Sequence, residues 1–373
     1  MDHAETDLNP RYDRGTLKEV YEMIGKDIEE GIPLIDDTSY AVPKYHFNYK
    51  AACCFASRYY LFIQDWDNAI KYATEALTSN PTSLLRDYDA IAAIPNGTSR
   101  HQAYVQSSSS ANFLVQADTS SAGTVFGWYT TAGRYAHGKL QGTYETVQPK
   151  YGGPWGNSVY FKAGHAVLAS SGKYILPRIW YTFQYTDPVA GTGYSKAVSV
   201  LFCMEEALLN RAEAYVMKMQ EDPSALDSAL ADMNMYASNL FSSGFTPMTE
   251  ESIKKWATET YPNYSELYVG KTSETSPQTL NPKKKLFAPP YNALEKGGTQ
   301  ESMLQALLFM RRYQFLHEGM RWFDTRRFGI TVYRYTLDED DETVLQITDQ
   351  ISDEDGTPDP RRALQLPSDV IAV

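Results

Sequence analysis

Cysteine, histidine and basic residues are all scarce in this sequence, and each scarcity narrows what the chain does. Three cysteines are too few for a disulfide framework. Two of them, Cys53 and Cys54, are neighbours in a stretch of helical spacing, where they point to different faces and do not pair. Six histidines lie scattered without metal-ligand spacing, so neither a metal site nor a cofactor is expected. Lysine and arginine total 34 against 46 aspartates and glutamates, a net charge of −12 that opposes the counterion release behind nucleic-acid binding. Nucleic acid is therefore not an expected partner. No apolar run approaches the roughly 18 residues that a membrane-spanning helix needs, and Met1-Asp2-His3-Ala4-Glu5 has none of the basic and apolar character of a signal peptide.

The fingerprints of common catalytic sites are missing too: there is no P-loop, nucleophile elbow or dinucleotide motif. His317-Glu318 is not followed by the histidine that a zinc protease places at the fifth position. Asp353-Glu354-Asp355-Gly356 resembles part of a calcium loop, but Ile351 occupies the first ligand position. The paired carboxylates of a glycoside hydrolase meet only in three dimensions, so spacing leaves that activity open as a lesser alternative. No catalytic residue is expected.

Tyrosine, by contrast, is abundant: 28 tyrosines outnumber 15 phenylalanines and 6 tryptophans together. An apolar face with a polar tip suits a wet surface, although lining the edge of the core explains the composition about as well. Apolar residues at helical spacing predict an amphipathic helix from Thr16 to about Ile35 and a second helix from near Tyr45 through Tyr60. A third runs from Trp66 to Ser79, where Ala69, Ala73 and Ala76 permit close approach and Asn80-Pro81 ends it. The pattern returns later, with one helix from Leu201 through Tyr215 and another from Ala225 to Leu240. Each pair resembles a tetratricopeptide unit, a helix-turn-helix with spaced alanines in its second helix.

The fold expected is mainly α: one domain over residues 1–373, with helical hairpins at 1–81 and 199–241. Residues 82–198 read as a loop-rich insertion, in which no helical period lasts two turns, and 242–298 as a second irregular segment whose Lys283-Lys284-Lys285 is a solvated turn. A helix over 299–329 and an acidic tail over 330–373 complete the chain. Within 299–329, unbroken helical geometry would align Glu318, Arg321, Asp324 and Arg327 as a charge ladder with Trp322 and Phe323 buried beside it, and Gly319 would admit a neighbouring helix. Such a motif is expected to be architectural.

The run Glu318-Gly319-x-Arg321-Trp322-Phe323-Asp324-x-x-Arg327, preceded by Arg311-Arg312, resembles the hallmark of the SusD/RagB family of nutrient-binding lipoproteins from Bacteroidetes-type bacteria. Further stretches fall in the family's order: Asp27-Ile28, Lys50-Ala51-Ala52 to Asp65-Trp66, Arg211-Ala212-Glu213-Ala214, and Asp359-Pro360-Arg361-Arg362. The resemblance implies a tetratricopeptide-like α-α superhelix beneath a loop-rich half. It also implies capture of an oligosaccharide at the outer membrane, without cleavage, for a SusC-type TonB-dependent transporter. Family members carry a signal peptide, a lipid-bearing cysteine and a longer N-terminal region, so an N-terminally truncated member is the expectation. Attachment to the membrane would then run only through a lipid anchor absent from this chain. A peptide-binding or protein-protein adaptor built on the same hairpins is the alternative.

Sugar rings stack their C–H faces on exposed aromatics and need polar groups nearby. The glycine-rich stretches of the insertion therefore supply the expected ligand residues, Trp128, Tyr129, Tyr151 and Trp155, with Arg134, Asn157 or Gln148 as polar partners.

Overall fold

A computed structural model describes residues 15–126, 135, 137–144, 146–147, 153–156, 161–162, 167–168, 174–241, 244–260, 283–341 and 344–364. Helix α1 (Leu17–Gly31) opens on Thr16, which forms a reciprocal capping box with Glu19. Helix α2 (Tyr49–Phe62) starts later than the periodicity suggests, because a tight turn at Pro43–Tyr45 intervenes and Asn48 is the cap. The Asn48 side chain accepts from Ala51 N at 3.1 Å and donates to Phe113 O at 2.6 Å, fixing the helix start to a distant strand. After Gln64, which takes a left-handed φ of 64°, Asp65 caps helix α3 (Trp66–Leu77).

The insertion holds more regular structure than expected. Helices α4 (Tyr88–Ala93) and α5 (Gly97–Val105) precede strand β1 (Asn112–Thr119). The residues that α5 buries are His101, Tyr104 and Val105, and two polar-tipped side chains among three conceal its period. Short elements α6 (Ala122–Phe126), α7 (Lys139–Tyr144), β2 (Val167–Leu168) and β3 (Tyr174–Ile175) follow. Strands β4 (Thr182–Asp187) and β5 (Thr192–Cys203) join β1 in an antiparallel sheet of order β1-β5-β4. Leu201 thus belongs to a strand rather than a helix, since β5 stays paired with β1 as far as Cys203.

Helices α8 (Met204–Lys218) and α9 (Ala225–Leu240) form the second hairpin, followed by α10 (Glu250–Lys255). Helix α2 packs on α3, α3 on α8 and α8 on α9, so hairpins distant in sequence stack directly. Ala69, Ala73, Ala76, Ala212 and Ala229 are fully buried along the stack, where a side chain without branches lets backbones close up. Helix α11 (Thr299–Gln314) lies against α8 and ends well before residue 329, and α12 (Met320–Arg327) is a separate helix. The acidic tail contains an antiparallel hairpin of β6 (Val332–Leu337) and β7 (Val344–Ile351). Arg362 then reaches back, donating to Thr325 O at 3.0 Å and Ile330 O at 2.8 Å and pairing with Asp353 at 2.8 Å.

One expectation is corrected, and one open alternative is resolved. Lys283 and Lys284 are buried rather than solvated, and burial pulls the Lys283 ammonium down to about 8 while it donates to the Ala257 carbonyl. Tyrosine serves the interior as much as the surface: Tyr88, Tyr104, Tyr236 and Tyr313 are buried, with the Tyr88 hydroxyl on Glu205 at 3.0 Å and that of Tyr236 on Gln314 at 3.1 Å. Asn48→Ala removes a cap and orphans a buried carbonyl, so it is expected to cost about 1–2 kcal/mol. A lowered urea midpoint at unchanged slope would register that loss.

Candidate functional site

The motif of residues 311–327 is a buried ion network rather than a helical ladder. Arg311 and Asp324 are each 1% exposed, and the guanidinium grips the carboxylate from Nε at 3.2 Å and from Nη2 at 3.0 Å. Arg327 meets the same carboxylate at 3.3 Å and forks onto Glu213 of α8, with Nη2 to Oε2 at 2.9 Å. Arg311 Nη1 continues to Asn210 at 2.8 Å, whose amide reaches Ser57 of α2 at 3.0 Å. Burial alone would raise the Asp324 carboxyl, but Arg311 and Arg327 outweigh it and hold the group below the usual carboxylate value.

A continuous helix would carry Asp324 roughly 20 Å along the axis from Arg311. The chain instead unwinds after α11, with His317 at φ 68° and Gly319 at φ 78°, and doubles back. Gly319 is needed for that left-handed conformation, not for helix contact, since a Cβ there would meet nothing within 4 Å. Of the expected ladder the Asp324–Arg327 step is present, at 3.3 Å. Arg321 lines a separate small cleft with Arg312 and Tyr333. Trp322 is half-buried, and Phe323 is 44% exposed, stacked against Phe62 at 6.1 Å.

Glu318 stands outside the network. Burial pushes its carboxyl up to about 7, although the Arg178 charge draws it down. Burial likewise depresses the neighbouring His317 imidazole to about 4, against an ordinary 6.5, with the Arg178 charge adding to the effect and a backbone bond at Tyr174 opposing it. The His137 ring lies edge-on 6.1 Å from it.

The expected ligand residues Trp128, Tyr129, Arg134, Tyr151 and Asn157, together with Gln148, fall outside the described residues. Trp155 is described, and its expected exposure is corrected: it is 2% exposed, 4.2 Å from the Phe241 ring and stacked on Phe309 at 5.1 Å. The glycines beside it turn the ring inward, for a Cβ on Gly153 would stand 2.3 Å from the indole. Trp155 therefore packs its loop onto the scaffold.

Exposed rings occur instead on the β4–β5 hairpin, where alternate residues share a face. Tyr181 stacks with Phe183 at 6.5 Å, and Phe183 meets Tyr185 edge-on at 4.9 Å. Gly193 lies opposite Tyr185 and has no Cβ to strike the Phe183 ring, which an added one would approach to 2.8 Å. Tyr185 is 58% exposed, and Tyr194, paired with Gln184, presents a ring 57% exposed on the other face. The signal was the period-two spelling Tyr181-x-Phe183-x-Tyr185 within the segment that reads as a loop-rich insertion. Among the described residues no group of three or more His, Cys, Asp or Glu side chains gathers as metal ligands would, and no helix is long and apolar enough to cross a membrane.

Asp324→Asn leaves the buried Arg311 without its carboxylate, while Arg327 keeps Glu213, and is expected to cost about 3–5 kcal/mol, read from chemical denaturation. For His317, the unfolded chain takes up a proton near pH 6.5 that the folded chain refuses until about 4, so its contribution to stability is full above 6.5 and is lost as the pH falls towards 4. His317→Asn tolerates the left-handed backbone and should flatten the decline of the melting temperature between pH 7 and 4.5.

Residues 1–61 match the family model SusD-like_3, described as "Starch-binding associating with outer membrane". No curated protein matches the chain. Among solved structures, a SusD superfamily protein from Bacteroides fragilis is similar at 16% identity over 96% of this chain and 63% of that one, with a TM-score of 0.49. A SusD-like carbohydrate binding protein from Bacteroides vulgatus shows 15% identity over 88% and 57%, with a TM-score of 0.45. A SusD-like protein from Bacteroides fragilis shows 15% over 92% and 68%, with a TM-score of 0.47. The chain thus spans 57% and 63% of the length of the first two. The family-model match covers residues 1–61 of the 373-residue chain.

Proposed function

We propose that this chain is a SusD-type protein of the outer membrane that holds an oligosaccharide at the cell surface, leaves it uncleaved, and passes it to a TonB-dependent transporter of the SusC type. In this reading residues 1–373 act as one domain held at the outer membrane. The family description matched by residues 1–61 supports the ligand class and the compartment.

The observation that carries the reading is the ring ladder of β4. Alternate side chains of a strand stand about 6.7 Å apart, the scale of one sugar ring, and an aromatic face takes up the C–H face of a pyranose. Phe183 is half-buried and Tyr185 exposed, so both present apolar area while the Tyr185 hydroxyl remains free to bond sugar hydroxyls. Trp128, Tyr129 and Tyr151, outside the described residues, remain candidates for contact with the sugar.

Calorimetric titration with malto-oligosaccharides, other glycans and peptides tests this. Phe183→Ala and Tyr185→Ala should each weaken sugar binding about tenfold, or roughly 1.4 kcal/mol, with no change in fold. Sugar affinity untouched by both substitutions would remove the ladder from the site. Chromatographic detection of cleaved sugar would overturn the non-catalytic assignment, and binding of peptides alone would favour the adaptor.

A further inference from the structure

A cleft of about 340 Å³ opens between α2, β5 and the unwound turn that joins α11 to α12. Its walls include Arg58, Arg178, Ser199, Glu206, His317 and Glu318. Two of the charges cancel: Arg58 forks onto Glu206 with bonds of 2.6 and 2.8 Å and lies over the Phe202 ring at 4.6 Å.

Arg178 is different. It is 3% exposed, and one guanidinium nitrogen, Nη1, donates to Tyr313 O at 2.7 Å. Its Nε and Nη2 have no hydrogen-bond partner among the described residues. Glu318 supplies the nearby carboxyl, yet the two form no ion pair, although each acts on the other electrostatically. A buried guanidinium without a counter-ion is costly, and it offers only donors, so the group that would satisfy it is an acceptor of negative charge. A carboxylate matches the fork of Arg in geometry and charge.

We propose that this cleft is a binding subsite for a small carboxylate ligand, a sugar acid or hydroxy acid of single-ring size, held by the unpartnered edge of Arg178. The volume sits at the lower end of small-molecule pockets, about 300–1,000 Å³, which excludes a long chain. The site lies apart from the β4 ladder and does not depend on it.

Glu318 also makes binding respond to pH. The groups that act on it are Arg178, Arg86, Glu205 and Glu206. Arg86 is bonded to Glu205 and Arg58 to Glu206, so these charges are fixed in pairs. Tyr104 and Cys203, which also interact with Glu318, are pushed far above neutrality by burial, and His317 is pushed down to about 4. Among the described residues of the cleft, Glu318 is the group whose carboxyl burial lifts towards neutrality. Its ionisation places a like charge beside the bound carboxylate, so affinity should fall about tenfold from pH 6 to pH 8.

The test is calorimetric titration of the full chain with sodium D-glucuronate, L-lactate and D-glucose at pH 6 and 8, on wild type, Arg178→Gln and Glu318→Gln, each checked for fold by circular dichroism. The expected result is binding of D-glucuronate or L-lactate but not D-glucose, loss of about tenfold at pH 8 in wild type, a flat pH response in Glu318→Gln, and no binding in Arg178→Gln. D-glucuronate alone would identify a sugar acid, and both acids a hydroxy-acid site. Should Arg178→Gln fail to fold, the Glu318→Gln profile decides. No heat with either acid at millimolar concentration, D-glucose bound as tightly as D-glucuronate, or the same pH response in wild type and Glu318→Gln would each overturn the proposal.

Discussion

The structure turns on one carboxylate. Asp324 sits between Arg311 and Arg327 with almost no exposure, and through those arginines it connects α11, α12 and α8, with Asn210 and Ser57 extending the chain of bonds to α2. A buried ion pair contributes little by existing, because desolvation consumes most of its attraction, but it strongly disfavours any arrangement that separates the partners. The network therefore specifies geometry: α11 must stop, the chain must turn through His317 and Gly319, and α12 must return to its start.

A second buried pair does the same for the insertion. Arg86 binds Glu205 at 2.7 Å, Asn112 at 2.8 Å and Tyr104 O at 3.0 Å, so α5, β1 and α8 converge on one guanidinium. The hairpin stack supplies apolar burial without much directional preference. The two arginine centres supply the direction, and between them they set where the β1-β5-β4 sheet meets the helices. Rings on β4 and the cleft beside β5 are consequences of that placement.

Much of the helical layer was legible in the sequence, since α1, α2, α3, α8, α9 and α11 write their buried faces at a spacing that needs no partner to be recognised. The alanines of α3 also announced close packing correctly. Elements whose pairing is distant were harder: β5 extends past Leu201 only because β1 lies alongside it, and α5 hides its period behind His101 and Tyr104. In the motif a three-residue spacing of charges looks like a ladder until the backbone is known to break after α11.

The surface shows the same division most clearly. A tryptophan among glycines and a tyrosine in an alternating strand look equally available in sequence, yet Trp155 is packed against Phe241 and Phe309 while Tyr185 faces solvent. Lys283 and Lys284 were expected to be solvated and are enclosed. The sequence by itself determined the helical layer, the acidic balance and the likeness to a family, because periodicity and composition are local properties. Only the tertiary structure decided which rings face solvent and which arginine and carboxyl meet without forming an ion pair, because burial and pairing depend on what other parts of the chain bring to the same place.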